Sequence, residues 1–382
     1  MRINAPLVRS TVAGALGGLL FGFDTAVIAG TTQQLTQVFH LVSSLHLFIP
    51  NLGLTVAIAV WGAAMGAILA GPLGQKIGGR EALRIMALLY LLSSLGCALA
   101  WNWPSLLAFR LLGGLGIGGS SVLGPVYLAE LAPARLRGRL VGLFQINIVA
   151  GILLAYASNY AVASLIGGNE AWRWQFGVAS IPALLFLVFL FGIPRSSRWL
   201  VTQNRIDEAR DILQLMGTPN CEAELKEIVD SIHIDRSKNS EPLFRRKYRL
   251  PIFLAVSIGM FNQLSGINAI LYYANDIFHS AGFSTLSADK QAVILGAMNF
   301  CATLLAMSVI DKLGRKSLLL IGSVGTAGSL AGVAWIFAAR STAVPFMFFA
   351  GMMALQFFVV LFIYPETKRA SLEQLQHRLG TD

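Results

Sequence analysis

Ten stretches of about twenty apolar residues, set apart by polar loops, leave this chain few ways to fold. A helix needs about 20 residues to cross a hydrocarbon core of ~30 Å. Inside lipid every backbone N–H and C=O must be paired within the chain, so blocks of this kind are helices. They fall at 11–30, 50–74, 82–101, 105–128, 139–161, 172–193, 250–279, 290–310, 317–339 and 342–363. Only 13% of the residues are charged, against about 25% in a soluble domain. The expected fold class is an all-α polytopic membrane protein.

The net charge of +10 is not the footprint of a nucleic-acid binder, because the basic residues sit in short loops between apolar blocks. Arg2 and Arg9 precede the first block; Lys76, Arg80 and Arg84 follow the second. Arg135, Arg137 and Arg139 follow the fourth, and Lys312, Arg315 and Lys316 the eighth. Lys368, Arg369 and Arg378 follow the last. Segments 31–49 and 102–104 carry no lysine or arginine, and the later alternate loops only Lys290 and Arg340. By the positive-inside rule both termini are expected in the cytoplasm.

The basic N-terminus precedes a block with no small-residue cleavage site, which reads as a retained helix. Cys97 and Cys301 lie in apolar blocks and Cys221 in a polar segment, so no disulfide framework is implied. The absence of any Asn-x-Ser/Thr sequon favours a bacterial origin. Residues 194–249 are the one long polar segment. Within it "RIDEARDILQLMG" has helical periodicity ending at Gly217, and "CEAELKEIVDSIH" reads as a second short helix.

The chain also repeats itself. "GPLGQKIGGR" (71–80) closes the second block, and "VIDKLGRK" (309–316) closes the second block after the linker. "IPRSSRWL" (193–200) ends the sixth block and "YPETKRASL" (364–372) the last. Such correspondences imply duplication of a six-helix unit, a common transporter plan. The expected layout is a six-helix half at 1–193, a cytoplasmic helical linker at 194–249, a four-helix half at 250–363 and a cytoplasmic tail at 364–382. Two helices are missing around Arg340–Val344. An even loss keeps the basic tail on the cytoplasmic side.

These residues resemble the sugar porters of the major facilitator superfamily, particularly bacterial proton-coupled pentose and hexose symporters. The resemblance rests on "GGLLFGFDTAVIAG" in helix 1, "RLLGGLGIGGSSVLGPVYLAELAPARLRGRL" in helix 4, "NQLSGINAILYYANDIF" in helix 7, "DKLGRK" after helix 8 and "PETK" after the last helix. It implies a major facilitator fold of two pseudo-repeat halves, with about ten helices instead of twelve. By position the missing pair corresponds to family helices 10 and 11. Helix 10 normally brings a Trp that faces the sugar, and in the family helices 1, 4, 7 and 10 line the central cavity.

Asp24 stands alone as an acid in the first apolar block. A charge near the bilayer centre costs at least ~2.5–3.5 kcal/mol, so it has a partner or a task. At ~1.5 Å per residue Asp24 lies about 9 Å below the outer end of helix 1, and Arg110 about 8 Å below the same face in helix 4. The two are expected to form a buried pair that protonation of Asp24 releases. A membrane potential contributes ~2.3 kcal/mol per charge per 100 mV, enough for about fiftyfold accumulation. By resemblance, proton-coupled members have an acid here and uniporters an amide. The second carboxylate that such symporters often carry in helix 6 corresponds to Ala179.

A neutral polyol calls for amides, hydroxyls and an aromatic face. Helix 7 supplies Asn262, Gln263 and Asn268 around Ser265–Gly266, a pair that predicts a break in the helix. Interrupted helices at mid-depth are where transporters bind substrate. By resemblance the sugar ligands are Gln145, Gln263, Asn268 and Asn299, with Asn262 in place of a glutamine and Phe21 and Tyr272 as further contacts. Ile152 stands where some xylose porters have Gln. Glu130 with Arg137 and Arg139, and Arg315 with Asp311, are expected to clamp the cytoplasmic side. Gln75, Lys76 and Arg195 replace family residues there, and the swaps at 75 and 195 remove an acidic partner.

No nucleophile–base pair, metal cluster or phosphate loop is present in the sequence, so no enzyme, cofactor or metal is expected. "GGLGIGG" lies inside a membrane span, where it lets helices approach closely. The reading is sugar/proton symport in a bacterial inner membrane, the substrate a monosaccharide such as xylose, glucose, galactose or arabinose. The alternative is a truncated paralogue that binds or senses sugar without transporting it. A homo-oligomer would cover the face left by the missing helices.

Overall fold

The computed structural model describes residues 5–41, 45–46, 49–131, 137–217, 220–237, 248–337 and 343–365. Helices dominate, and their ends follow the sequence punctuation. α1 (Ala5–Val27) continues into a 3-10 turn at Ile28–Gly30, and a short α2 (Thr32–Val38) follows. A two-residue antiparallel pair, Leu45–His46 with Ile49–Pro50, leads into α3 (Asn51–Ile77). Next come α4 (Gly79–Ala98), α5 (Trp103–Leu131), α6 (Arg137–Leu165), α7 (Ala171–Val178) and α8 (Ser180–Phe191). The polar segment holds α9 (Ser197–Thr202), α10 (Ile206–Leu215) and α11 (Cys221–Ser237). The remainder is α12 (Arg249–Leu264), α13 (Ile267–Tyr272), α14 (Ala274–Ser280), α15 (Thr285–Leu313), α16 (Arg315–Ile336) and α17 (Ala343–Ile363).

Among the described residues ten helical segments are long and apolar enough to cross a membrane. Their ends agree with the expected blocks to within a few residues except at the seventh, which runs Arg249–Tyr272, and at the start of the eighth, which lies five residues early at Thr285. The helix is interrupted at Tyr273, so α14 lies beyond the span. The predicted break at Ser265–Gly266 is present: α12 stops at Leu264, and Gly266 takes φ +75°. A Cβ at Gly266 would collide with the Phe349 ring.

The chain divides into two compact units, Met1–Ser237 with Tyr272–Thr303, and Lys238–Leu271 with Leu304–Asp382. In the first unit α3 packs on α5, α4 on α5, and α1 along α6. Small residues make these approaches possible. A methyl at Gly114 or Gly118 would strike the carbonyl oxygens of Ala59 or Ala63, and one at Gly22 that of Ile148. The glycine run of α5 is thus a helix-packing surface, as its place inside a span predicts.

The first unit also carries the linker helices. Leu200, Val201, Ala209, Leu213, Leu225 and Ile232 form their own apolar core. α9 is capped by Ser196, whose hydroxyl accepts from the Trp199 N–H. The Trp199 indole donates to the Gln75 carbonyl at 3.0 Å and lies against Gly78. This anchors the linker at the α3–α4 joint, the end of the unit remote from Gly30.

In the second unit α16 and α17 form a hairpin, with Lys316 Nζ donating to the Leu361 carbonyl at 3.0 Å. α12 joins α17 through hydroxyls, Ser257 Oγ lying 2.7 Å from Tyr364 Oη. The flank of α16 bearing Gly322, Gly325, Gly328 and Gly332 has no described atom within 4 Å of where a Cβ would stand. The two repeated motifs adopt one local geometry. Gly78 joins α3 to α4 at φ +93°, ψ 147°, and Gly314 joins α15 to α16 at φ +89°, ψ 158°. Only glycine takes such a conformation without strain, and in both joints an arginine follows in the first turn.

Candidate functional site

The first polar cluster is built on α1, α3, α4, α5 and α7. Arg110 is 4% exposed and enters from α5. Its Nε donates to the Thr55 carbonyl at 3.0 Å, and its guanidinium lies 5.5 Å above the Phe176 ring centroid. Thr55 is itself held: its hydroxyl donates to the Asn51 carbonyl and accepts from the Trp103 indole, both at 2.8 Å. A buried guanidinium needs this many partners, because an unpaired charge in an apolar interior is strongly unfavourable.

Asp24 is partly buried on α1, and its carboxylate feels the Arg110 charge. Among the described residues, however, no carboxylate oxygen comes within 4.0 Å of Arg110. The expected contact pair is therefore corrected to a through-space relation. The physical reason is that a backbone carbonyl from α3 and a ring from α7 occupy Arg110. Tyr90, Cys97 and Tyr272 lie in the same field of Asp24 and Arg110. Tyr90 is 2% exposed, and its hydroxyl has no partner among the described residues. Ala179, in the place of the second acid, is buried at the α7–α8 junction.

The second set belongs to the broken helix of the other unit. Asn268 Nδ2 donates to Gln263 Oε1 at 2.7 Å across the break. Ser265 turns its hydroxyl back to the Asn262 carbonyl at 2.7 Å, filling the acceptor that the break leaves open. Asn262 and Gln263 are exposed and Asn268 is partly so. The remaining predicted ligands, Phe21, Gln145, Tyr272 and Asn299, all fall in the first unit. Gln145 is exposed on α6; Phe21 and Asn299 are partly exposed on α1 and α15. The structure thus divides the predicted ligands between its two units.

Two of the charges expected on the cytoplasmic side have partners that the sequence does not suggest. Glu130 shares a hydrogen bond with Ser196 beside Arg198, and it lines a cavity of about 560 Å³ with Trp199. The side chains of Arg137, Arg139 and Asp311 lie outside the described set, as do Lys368, Arg369 and Arg378. Arg315 opens α16. Arg195, which stands where the family has an acid, pairs with Glu81 at 3.7 Å. The same carboxylate binds Arg80 at 2.6 Å and Arg84 at 2.8 Å, and these arginines also cap the carbonyls of Ile193 and Leu190. Glu81 is not singled out by the sequence reading, although its i,i+3 spacing to Arg84 is a recognisable helix pair.

Residues 10–343 match the family described as Sugar (and other) transporter. The chain belongs to this family. It is 40% identical over 330 residues to the glucose transport protein of Synechocystis, covering 84% of this chain and 69% of that one. It is 37% identical over 342 residues to the D-xylose-proton symporter of Escherichia coli, covering 83% and 69%. Among solved structures, the partially occluded inward-open xylose transporter XylE from E. coli superposes with a TM-score of 0.77 at 32% identity. That match covers 99% of this chain and 89% of the other. The fold is that of the major facilitator transporters, and the family is one of membrane transporters, not enzymes.

Proposed function

We propose that this chain carries a neutral monosaccharide across a bacterial inner membrane together with a proton, by alternating access. The observation that carries this reading is the amide pair Gln263–Asn268 astride a helix break. Amides with free donors and acceptors at an interrupted span suit hydroxyl-bearing solutes. Xylose, glucose, galactose and arabinose are the candidate substrates, in line with what the relatives' names state. Gln145, Asn262, Gln263, Asn268, Asn299, Phe21 and Tyr272 are assigned to the sugar. Asp24 and Arg110 are assigned to the proton, and Glu130, Arg137, Asp311 and Arg315 to the inner gate.

In this assignment both termini and the linker face the cytoplasm, following the basic loops. The half boundaries at 193 and 250, and the loss of family helices 10 and 11, belong to the same proposal. Proteoliposomes loaded with a proton gradient test it through uptake of the four labelled sugars. Saturable uptake that collapses with the gradient, and becomes insensitive to pH in Asp24→Asn, is the expected result. A parent rate that is independent of pH would remove proton coupling, and no uptake by folded protein would remove transport.

A second reading is favoured by the open glycine flank of α16. Small residues in membrane helices usually receive another helix. A chain lacking that neighbour would act as a sugar binder or sensor, or would pair with a second copy across the gap. Sugar binding without uptake, at a monomeric or dimeric size in detergent, distinguishes these.

A further inference from the structure

The first unit holds a second polar cavity, at the end remote from the linker helices. It encloses about 220 Å³ and is lined by Gln33, Gln34 and Gln37 of α2, Asn169, Asn275 of α14 and Thr285 of α15. At ~30 Å³ per water this is room for about seven waters, or for one pyranose ring. Among the described lining residues no side chain is charged. An anion would therefore meet no counter-charge, whereas a polyol would meet amides of both polarities.

Two amide oxygens just behind the cavity wall are unpartnered among the described residues. Asn275 is 6% exposed; its Nδ2 donates to the Asp289 carboxylate, and its Oδ1 has no partner among the described residues. Gln34 Oε1 is likewise buried and unpartnered. Buried acceptors are nearly always satisfied, and a turn of the Gln34 or Asn275 amide would bring its oxygen to a donor in the cavity. The Gln37 and Asn169 amides offer N–H groups beside Gln33, whose amide bonds Asp276. A small molecule with several hydroxyls meets all of these needs together.

We propose that this cavity is an outer holding subsite for a monosaccharide, separate from the amides of α12 and α13. The proposal rests on the sugar-transport reading for the identity of its ligand. In the orientation given above, the site faces the compartment from which sugar arrives.

The test is protection of an engineered thiol in nanodiscs. Gln37 is exposed at the cavity rim. In Gln37→Cys, the rate of reaction with a soluble maleimide is read at that residue by peptide mass spectrometry, so the native cysteines do not interfere. D-glucose and D-xylose are the probes, and glycerol is the control. At about four times Kd a bound sugar slows labelling about fivefold, as 1 + [L]/Kd requires. The proposal expects this protection to persist when Gln263→Ala and Asn268→Ala are added, and to vanish with Gln34→Leu. Protection lost with the α12–α13 substitutions, retained in Gln34→Leu, matched by glycerol or absent throughout would overturn it. Uptake is measured in parallel on the parent chain. Protection without uptake defeats the transport reading while leaving the subsite standing.

Discussion

Gly116 sets the distance between α4 and α5, and a single methyl there tests both the packing and the polar cluster. A Cβ at this position would stand 2.6 Å from the Met86 carbonyl oxygen, 3.1 Å from the Tyr90 nitrogen and 3.3 Å from the Tyr90 Cβ. Non-bonded contact is comfortable at ~3.5–4.0 Å, so the helices must part by roughly 0.5–1 Å. Backbone atoms form two of the three contacts, which leaves no flexible side chain to yield. Overpacking of this kind costs about 1–3 kcal/mol. The better helix propensity of alanine offsets ~0.8–1.0 kcal/mol of that. Gly116→Ala should therefore destabilise by roughly 0–2 kcal/mol, a fall of up to ~8 °C on the scale of domains of 150–250 residues.

Gly325→Ala is the matched control, because no described atom lies within 4 Å of its Cβ position. The same chemical change there should leave the midpoint unchanged or raise it by ~2–4 °C. A thiol-reactive fluorogenic dye provides the assay: Cys97, on α4, is 2% exposed and becomes reactive as α4 leaves the bundle. Cys221 and Cys301 supply the early baseline. Because Tyr90 and Arg110 stand on the two helices being forced apart, uptake by Gly116→Ala should fall as well. Equal shifts in the two variants, or a Gly116→Ala protein more stable than the parent, would refute the claim that this glycine fixes the spacing.

Arg110→Lys keeps the charge but not the planar fork, and an ammonium cannot both donate to Thr55 and lie over Phe176. Proton-driven uptake should drop at least tenfold with sugar KM little changed, and parent-like rates would dismiss the cluster's role. Glu81→Gln removes the carboxylate shared by Arg80, Arg84 and Arg195; discounted for partial exposure, the loss is about 1–2 kcal/mol, read as a lower thermal midpoint. Trp199→Ala should speed proteolysis near Asn204, since it deletes the bond to Gln75 that holds the linker; unchanged cleavage would argue against that anchor. Asp276, on α14 beyond the span, has its carboxyl raised by burial against the bonds from Thr32 and Gln33 and the charge of His279. The folded state therefore holds this proton to higher pH than the unfolded one, so stability falls as pH rises from 3.8 through the raised value. Asp276→Asn should flatten that slope in thermal scans between acid and neutral pH.

Much of this architecture was legible because lipid leaves a helix only one way to satisfy its backbone. Span number, the linker helices and the interruption at Ser265–Gly266 follow from length, periodicity and one glycine. The relation of Asp24 to Arg110 did not follow. Rise per residue gives depth along a helix axis, and the two do influence one another, but rotation about that axis decides what each side chain meets. Arg110 meets the Thr55 carbonyl and Phe176, groups that a sequence does not mark as partners for a cation. Glu81 was hidden for a related reason: its three arginines come from α4 and from the start of the linker, more than a hundred residues apart.

The glycine flank of α16 has a consequence for the surrounding lipid. Gly322, Gly325, Gly328 and Gly332 together cut a shallow furrow along one side of the helix. Where no second copy covers it, an acyl chain lies against it in a bilayer, and acyl chains differ in how well they bend into a groove. Kinked, unsaturated chains can follow the backbone closely, whereas ordered saturated chains bridge the furrow and leave voids. The second unit is then partly solvated by a solvent whose packing the cell adjusts. Its melting should track lipid unsaturation, while the glycine-sealed α3–α5 and α1–α6 seams of the first unit should be indifferent to it.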